Sequence, residues 1–344
     1  VIQATGTHLF TSLLPLEEGE LLRNPLVAWA AYGEPCDGKA VVLLHDLSHS
    51  HHAVGPVEDS AYQSSGWARE LVGPGLPLDP DIMPVIVPGL LGSPFGSTSP
   101  ATVDLATGER LGLSLPPLTV LDMARGVSAL LRARGLNHVR ALVGVGLGAQ
   151  VALRLAALFP DLSDAVVAIG AARALPEGVR EKLGLAWQLL RADPDFREGL
   201  YEPDAMPRKT MRRLRLDFQK LLYGREYLSR RHADSEAVRT ALEAEAESFS
   251  ETFDASSWAT LCSAYAGCDV ADCFAQIRAR VLLVAGNSDV LAPVNRVRDT
   301  YHLLSAAGVS ARMVELPGPG DHGALLTDSE RLRAPLGDFL RRVG

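Results

Sequence analysis

Short runs of valine, leucine and isoleucine recur along the chain. Each is bounded by turn residues, and helix-length stretches with helical apolar spacing lie between them. The runs that read as strands are Val41 to Leu44, Ile82 to Val87, Ala141 to Gly144, Ala165 to Ile169, Val281 to Ala285 and Arg312 to Leu316. Runs without polar alternation suit a sheet buried on both faces, so the pattern predicts an α/β chain with a mostly parallel central sheet flanked by helices. Upstream, His8 to Leu14 and Leu26 to Tyr32 suit antiparallel strands at one edge. Thr119 and Asp122 form a capping-box pattern, Val120, Ala124, Val127 and Leu131 keep helical spacing, and Gly135 supplies a stop, which together predict a helix.

The alternation breaks after Ala172, where a long charged and helix-favouring stretch precedes the next strand near Arg280. Arg180 to Arg191, Lys209 to Tyr227 and Ser235 to Phe253 read as its helices. The expected organisation is a core in two parts, residues 1–172 and 277–344, with a helical lid inserted over 173–276. Helix-length segments at Val294 to Ala307 and Asp328 to Val343 close the core.

With 344 residues and 47% hydrophobic content, the chain has enough apolar material for a large core. Cys36, Cys262, Cys268 and Cys273 show neither metal-ligand nor disulfide spacing, so a reducing cytoplasm is the expected compartment. No run is long and apolar enough to suggest a membrane span, and the N-terminus lacks a leader pattern, so no membrane partner is expected. A formal net charge of -8 argues against a nucleic-acid partner, and the partner expected is a small-molecule substrate.

The candidate chemistry centres on Ala141-Leu-Val-Gly-Val-Gly-Leu-Gly-Ala-Gln150, a strand, turn and helix whose G-x-G-x-G core has the placement of a nucleophile elbow. Gly146 stands at the nucleophile position and brings no side chain to attack an acyl carbon. Gly144, Gly146 and Ala149 also fit a dinucleotide fingerprint, although the next strand ends Ile169-Gly-Ala-Ala-Arg173 with no acidic residue for a ribose. Downstream, Asp289 and His322 follow strands in the chain order of a hydrolase acid and base, both at the carboxyl edge of the sheet.

Beyond these elements, the chain resembles the homoserine O-acetyltransferase family in an ordered series of blocks. His45-Asp-Leu-Ser-His-Ser-His-His52 aligns without gaps on that family's HALTGDSH loop. Gly66-Trp67, Val72-Gly73-Pro74-Gly75, Leu91 to Pro100 and Ala106-Thr107-Gly108 resemble its GW, GPG, GG-x-YGSTGP and ATG blocks. Arg191-Ala192-Asp193-Pro194, Phe253 to Ser257 and Ser288-Asp289 resemble RADP, FDANS and SSD.

The resemblance implies an α/β-hydrolase fold with a helical lid, a dimer built through lid helices, and acyl-CoA as co-substrate with no bound cofactor. It makes His322 the base, Asp289 its orienting acid, and the backbone amides of Leu47 and Leu147 the oxyanion-hole donors. Ser48, His52 and Gly323 fall on the substrate side of the site. Two residues depart from the family pattern: Gly146 replaces its serine, and Gly323 replaces the aspartate that helps hold the substrate's amino group. The apolar positions within Arg212 to Tyr223 would serve a dimer contact or pack onto the core.

The histidines His45, His49, His51 and His52 suggest a metal site by residue type, but their spacing matches no ligand pattern and no metal is expected. Three readings follow. One is a His322–Asp289 base-assisted reaction without a covalent intermediate, on a substrate other than homoserine; acyl transfer, hydrolysis, lyase and cyclisation chemistry all fit it. Another is an inactive ligand-binding or partner protein, and the third is a dinucleotide-binding protein.

Overall fold

A computed structural model describes residues 4–55, 66–104, 106–318, 321–327 and 330–343. Its strands are β1 (Ala4–Leu9), β2 (Leu14–Pro15), β3 (Leu21–Leu22), β4 (Leu26–Tyr32), β5 (Val41–Leu44), β6 (Val85–Pro88), β7 (Val139–Val145), β8 (Ser163–Ile169), β9 (Arg280–Gly286) and β10 (Ala311–Leu316). β2 and β3 form a small hairpin, and the others build an 8-stranded sheet in the order β1-β4-β6-β5-β7-β8-β9-β10. Pairing is antiparallel for β1 with β4 and β4 with β6, and parallel from β6 through β10.

The unbroken apolar runs reflect burial on both faces. Val42, Leu44, Leu142, Val166 and Leu283 point into one core layer, and Val41, Leu43, Val143, Val167 and Val284 point into the other. The first layer packs on helix α1 (Val120–Ala133) and helix α2 (Leu147–Leu158). The second packs on Leu336, Phe339 and Leu340 near the C-terminus.

The strands match the predicted ones with shifted ends. The first edge strand is Ala4–Leu9 rather than His8 to Leu14, set by pairing of Ala4 with Ala31 and Leu9 with Leu26. β6 begins only after Pro84, whose carbonyl nevertheless accepts from the Val41 amide at 2.8 Å. α1 carries the expected capping box between Thr119 and Asp122.

Between β8 and β9 run α3 (Glu177–Arg191), α4 (Arg208–Leu222), α5 (Arg225–Arg231), α6 (Ser235–Thr252) and α7 (Ala255–Gly267). The single helix expected over Lys209 to Tyr227 is two, because Tyr223 is extended and separates α4 from α5. Leu214, Phe218, Leu221 and Leu222 of α4 are buried within their own chain. Of the two roles expected for these positions, they take the packing onto the core of their own chain. The chain closes with α8 (Val294–Ala306), α9 (Ala324–Thr327) and α10 (Glu330–Arg341); the first two residues of the last expected helix, 328 and 329, lie outside the described residues.

Among the described residues no helix is long and apolar enough to cross a membrane. Cys262, Cys268 and Cys273 are buried free thiols and Cys36 is an exposed one.

Candidate active site at the elbow between β7 and α2

The parallel register aligns Leu44 of β5 with Gly144 of β7, and Ile169 of β8 with Val145, so the carboxyl ends of the central strands meet at one edge. There β7 turns sharply into α2 through Gly146, at φ 52° and ψ -115°. This backbone strains any side-chain-bearing residue, and it is the geometry of a nucleophile elbow. A Cβ on Gly148 would lie 2.3 Å from the Leu44 carbonyl oxygen, so only glycine lets helix and strand approach this closely.

Asp289 lies on the loop after β9. The Leu291 and Ala292 amides donate to its Oδ1 at 2.8 and 3.0 Å, and its Oδ2 meets Nδ1 of His322 at 2.8 Å. His322 comes from the loop after β10 and turns its Nε2 toward the elbow. Gly146, Asp289 and His322 therefore meet at one point, although the sequence separates them widely.

The space over Gly146 is filled by Asp46. Its Oδ1 accepts from the Leu147 amide at 2.9 Å, and its Oδ2 lies 3.3 Å from His322 Nε2. A Cβ built on Gly146 would stand 2.0 Å from Asp46 Oδ1 and 3.0 Å from His322 Nε2. The carboxylate thus takes the volume in which a serine side chain would begin. Asp46 is not among the residues expected from the sequence, although it carries a signal there as a carboxylate at the alanine position of the HALTGDSH-like loop, next to His45.

Asp46, Asp289 and His322 are all buried. Burial disfavours the charged imidazole, but the Asp289 carboxylate, followed by Asp46, more than reverses this and raises His322 to about 10. Burial would push Asp46 up, yet its hydrogen bond and attraction to His322, with His49 and the Leu147 amide assisting, bring it down to about 2. Both shifts favour a charged imidazole on His322 facing an ionised Asp46 at neutral pH.

The loop that carries Asp46 is pinned by His45, whose Nδ1 donates to the Asp46 carbonyl at 2.9 Å and whose Nε2 accepts from the Leu90 amide at 3.1 Å. Burial lowers His45 to about 4, which keeps it neutral for this role. His49 lines the pocket beside Trp67, with ring centroids 5.5 Å apart, and burial pushes it down to about 3. The His51 and His52 rings lie 4.0 Å apart, tilted by 38°. His52, expected on the substrate side, lies outside the pocket lining, whereas Ser48 and Gly323 are part of it. Among the described residues no group of three or more His, Cys, Asp or Glu side chains is arranged to hold a metal.

A cavity of about 210 Å³ opens onto Asp46 and His322. Its far wall comes from α4 and α6, where Arg215 Nε lies 3.0 Å from both carboxylate oxygens of Glu245 and Gln219 joins the same carboxylate. The Tyr223 ring covers Gly323: a Cβ there would lie 2.2 Å from a ring carbon, so no longer side chain fits at that position. The dinucleotide reading also fails at this point. The Asp46 carboxylate holds the first amide of α2, where a pyrophosphate would need to bind, and it would repel one.

Residues 39–329 match the model of the α/β hydrolase fold family. A serine O-succinyltransferase of Stenotrophomonas maltophilia is 31% identical over 98% of this chain and 97% of its own length. A homoserine O-acetyltransferase of Symbiobacterium thermophilum is 31% identical over 96% of this chain and 92% of its own. The chain belongs to the homoserine O-acetyltransferase family of α/β hydrolases. The crystal structure of the homoserine O-acetyltransferase from Bacillus anthracis shares this fold, with a TM-score of 0.88 at 20% identity over 99% of this chain and 98% of that one. Within this family of homoserine and serine O-acyltransferase-like proteins, the present chain carries Gly146 at the elbow and Asp46 above it.

Proposed function

We propose that the chain transfers an acyl group from a thioester of the acyl-CoA type to the hydroxyl of a small acceptor other than homoserine, with His322 moving the proton and Asp289 holding the imidazole in place. The observation that carries this reading is the buried Asp289–His322 pair at 2.8 Å, aimed at the elbow from the wall of the pocket. A residue pair kept only for packing would not need two carboxylates on one ring. His322 is protonated at neutral pH and first serves as the acid that protonates a departing thiolate. The helices between β8 and β9 act as a lid that excludes water and shapes the acceptor site.

The acceptor differs from homoserine because the amino-group partner is absent at Gly323 and the Tyr223 ring fills its place. Across the cavity, Arg215 and Glu245 present opposite charges to whatever enters. The relatives' names mention serine, homoserine, acetyl and succinyl groups, which sets the first panel. The test is release of free CoA from acetyl-CoA and succinyl-CoA in the presence of serine, homoserine and other small hydroxy compounds. Release that depends on an acceptor and disappears in His322→Ala is expected; equal release from both proteins would sink the reading.

A second reading has its own support. The Leu147 amide and His322 Nε2 are both engaged by Asp46, so the cluster is satisfied without substrate, as suits a ligand-binding protein that performs no chemistry. A compound from the panel that raises the melting temperature with no CoA release would favour it.

A further inference from the structure

We infer that Asp46 is the nucleophile of this site, delivered from the loop after β5 into the space left by Gly146. The inference rests on the acyl-transfer reading above. Position alone makes the case for access. One carboxylate oxygen stands where a side chain at residue 146 would start and is anchored by the Leu147 amide, while the other faces the His322 nitrogen that a serine hydroxyl would face. Both Asp46 and His322 border the cavity, so a thioester carbonyl entering it meets them together.

Charge makes the case for chemistry. A serine hydroxyl must lose its proton to a neutral histidine before it can attack, and a histidine clamped by two carboxylates does not accept that proton. A carboxylate needs no such help. Asp46 is already ionised, and the protonated His322 beside it supplies what the first step then lacks, an acid for the leaving group. The replacement of serine by Gly146 and the arrival of Asp46 are therefore parts of one exchange.

The steps balance. The Asp46 carboxylate attacks the thioester carbonyl, forming an acyl–aspartyl anhydride and breaking the carbon–sulfur bond. The thiolate leaves and takes the proton of His322. Acylation removes the negative charge of Asp46, and with it one of the two attractions that held the imidazole protonated, so His322 is now a neutral base. It removes the acceptor's hydroxyl proton as the alkoxide attacks the acyl carbon. The anhydride carbon–oxygen bond breaks, Asp46 leaves as a carboxylate, and His322 is again an imidazolium. The net reaction is thioester plus alcohol to ester plus thiol, with the Leu147 amide bound throughout to the oxygen that becomes the aspartyl carbonyl.

The full chain is mixed with acetyl-CoA or succinyl-CoA, reduced with borohydride within a single turnover, digested and examined by peptide mass spectrometry. An acylated Asp46 is reduced to the alcohol, whereas a free carboxylate resists. The expected result is thioester-dependent reduction at residue 46, absent in Asp46→Asn, with CoA release in that variant lowered by about 10³-fold or more. If Asp46→Asn fails to fold, trapping on the native chain decides. Acceptor-dependent CoA release with no reduction at Asp46, or full release by a folded Asp46→Asn, overturns the nucleophile and leaves acyl transfer standing. No CoA release from the native chain with either thioester overturns both.

Discussion

At the scale of single residues, the site turns on Gly146 and Asp46, which share one space at the elbow. Introducing only a serine, as Gly146→Ser, places a Cβ 2.0 Å from Asp46 Oδ1 on a backbone at φ 52°. The expected cost is backbone strain of about 1–3 kcal/mol, with overpacking of typically about 1–3 kcal/mol added. Combining it with Asp46→Ala removes the clash, so the double variant is expected to melt above Gly146→Ser alone. In the double variant the hydroxyl adjoins His322 without Asp46 between them, so a fluorophosphonate probe should label it while leaving the native chain and both single variants unlabelled. Labelling of Gly146→Ser alone would show that Asp46 moves aside freely and that the two positions are independent. Gly146, Asp289 and His322 were legible in the sequence because each lies beside a strand whose apolar run announces the sheet edge. Asp46 showed only as a carboxylate at the alanine position of the HALTGDSH-like loop, because its role depends on contacts with Leu147, 101 residues away, and with His322, 276 residues away. No local pattern encodes that meeting.

At the scale of elements, the sequence was most informative where structure is fixed locally. The start of α1 is an example: the Thr119 hydroxyl accepts the Asp122 amide at 3.2 Å, and Asp122 Oδ2 accepts the Thr119 amide at 3.0 Å. Thr119→Ala is expected to cost about 1 kcal/mol, the usual worth of an N-cap. Asp122→Ala should cost more, because the fully buried Asp122 also accepts the Glu17 amide at 2.8 Å, tying the hairpin of β2 and β3 to the helix. Thermal or urea melts of the two variants check the order; equal losses would mean that the long-range bond to Glu17 contributes nothing. The break between α4 and α5 had a signal of the kind read at Gly135, because Gly224 stands at it, but the strongly helical stretch on both sides masks it. A Cβ on Gly224 would lie 2.5 Å from Asp321 Oδ1, on the loop that carries His322. Gly224→Ala is therefore expected to push on that loop, seen as a change in the His322 imidazole resonances by NMR; an unchanged spectrum would show that the loop absorbs the contact. The glycine answers to a tertiary neighbour, which helical periodicity cannot reveal.

At the scale of the whole molecule, the buried cluster links stability to pH from both sides. His322 is raised from 6.5 to about 10, so the folded chain holds its proton more tightly than the unfolded chain does. That contribution is complete below about pH 6.5 and fades as pH rises toward 10. Asp46 is lowered from 3.8 to about 2, so its contribution is complete above about pH 3.8 and is lost as pH falls toward 2. The two together place the greatest benefit between about pH 4 and 6.5, where the imidazolium and the carboxylate are each favoured by folding. Replacing Asp46 by asparagine removes one of the attractions that raise His322 while leaving Asp289 in place. Melting temperatures measured from pH 3 to 10 should then fall less steeply on the alkaline side for Asp46→Asn than for the native chain. On the acid side the variant lacks the step that belongs to Asp46. Parallel curves for the two proteins would mean that Asp46 and His322 do not share a proton-linked interaction. The charges of Asp46 and His322 would then be energetically independent, and the choice between acyl transfer and ligand binding would rest on CoA release alone.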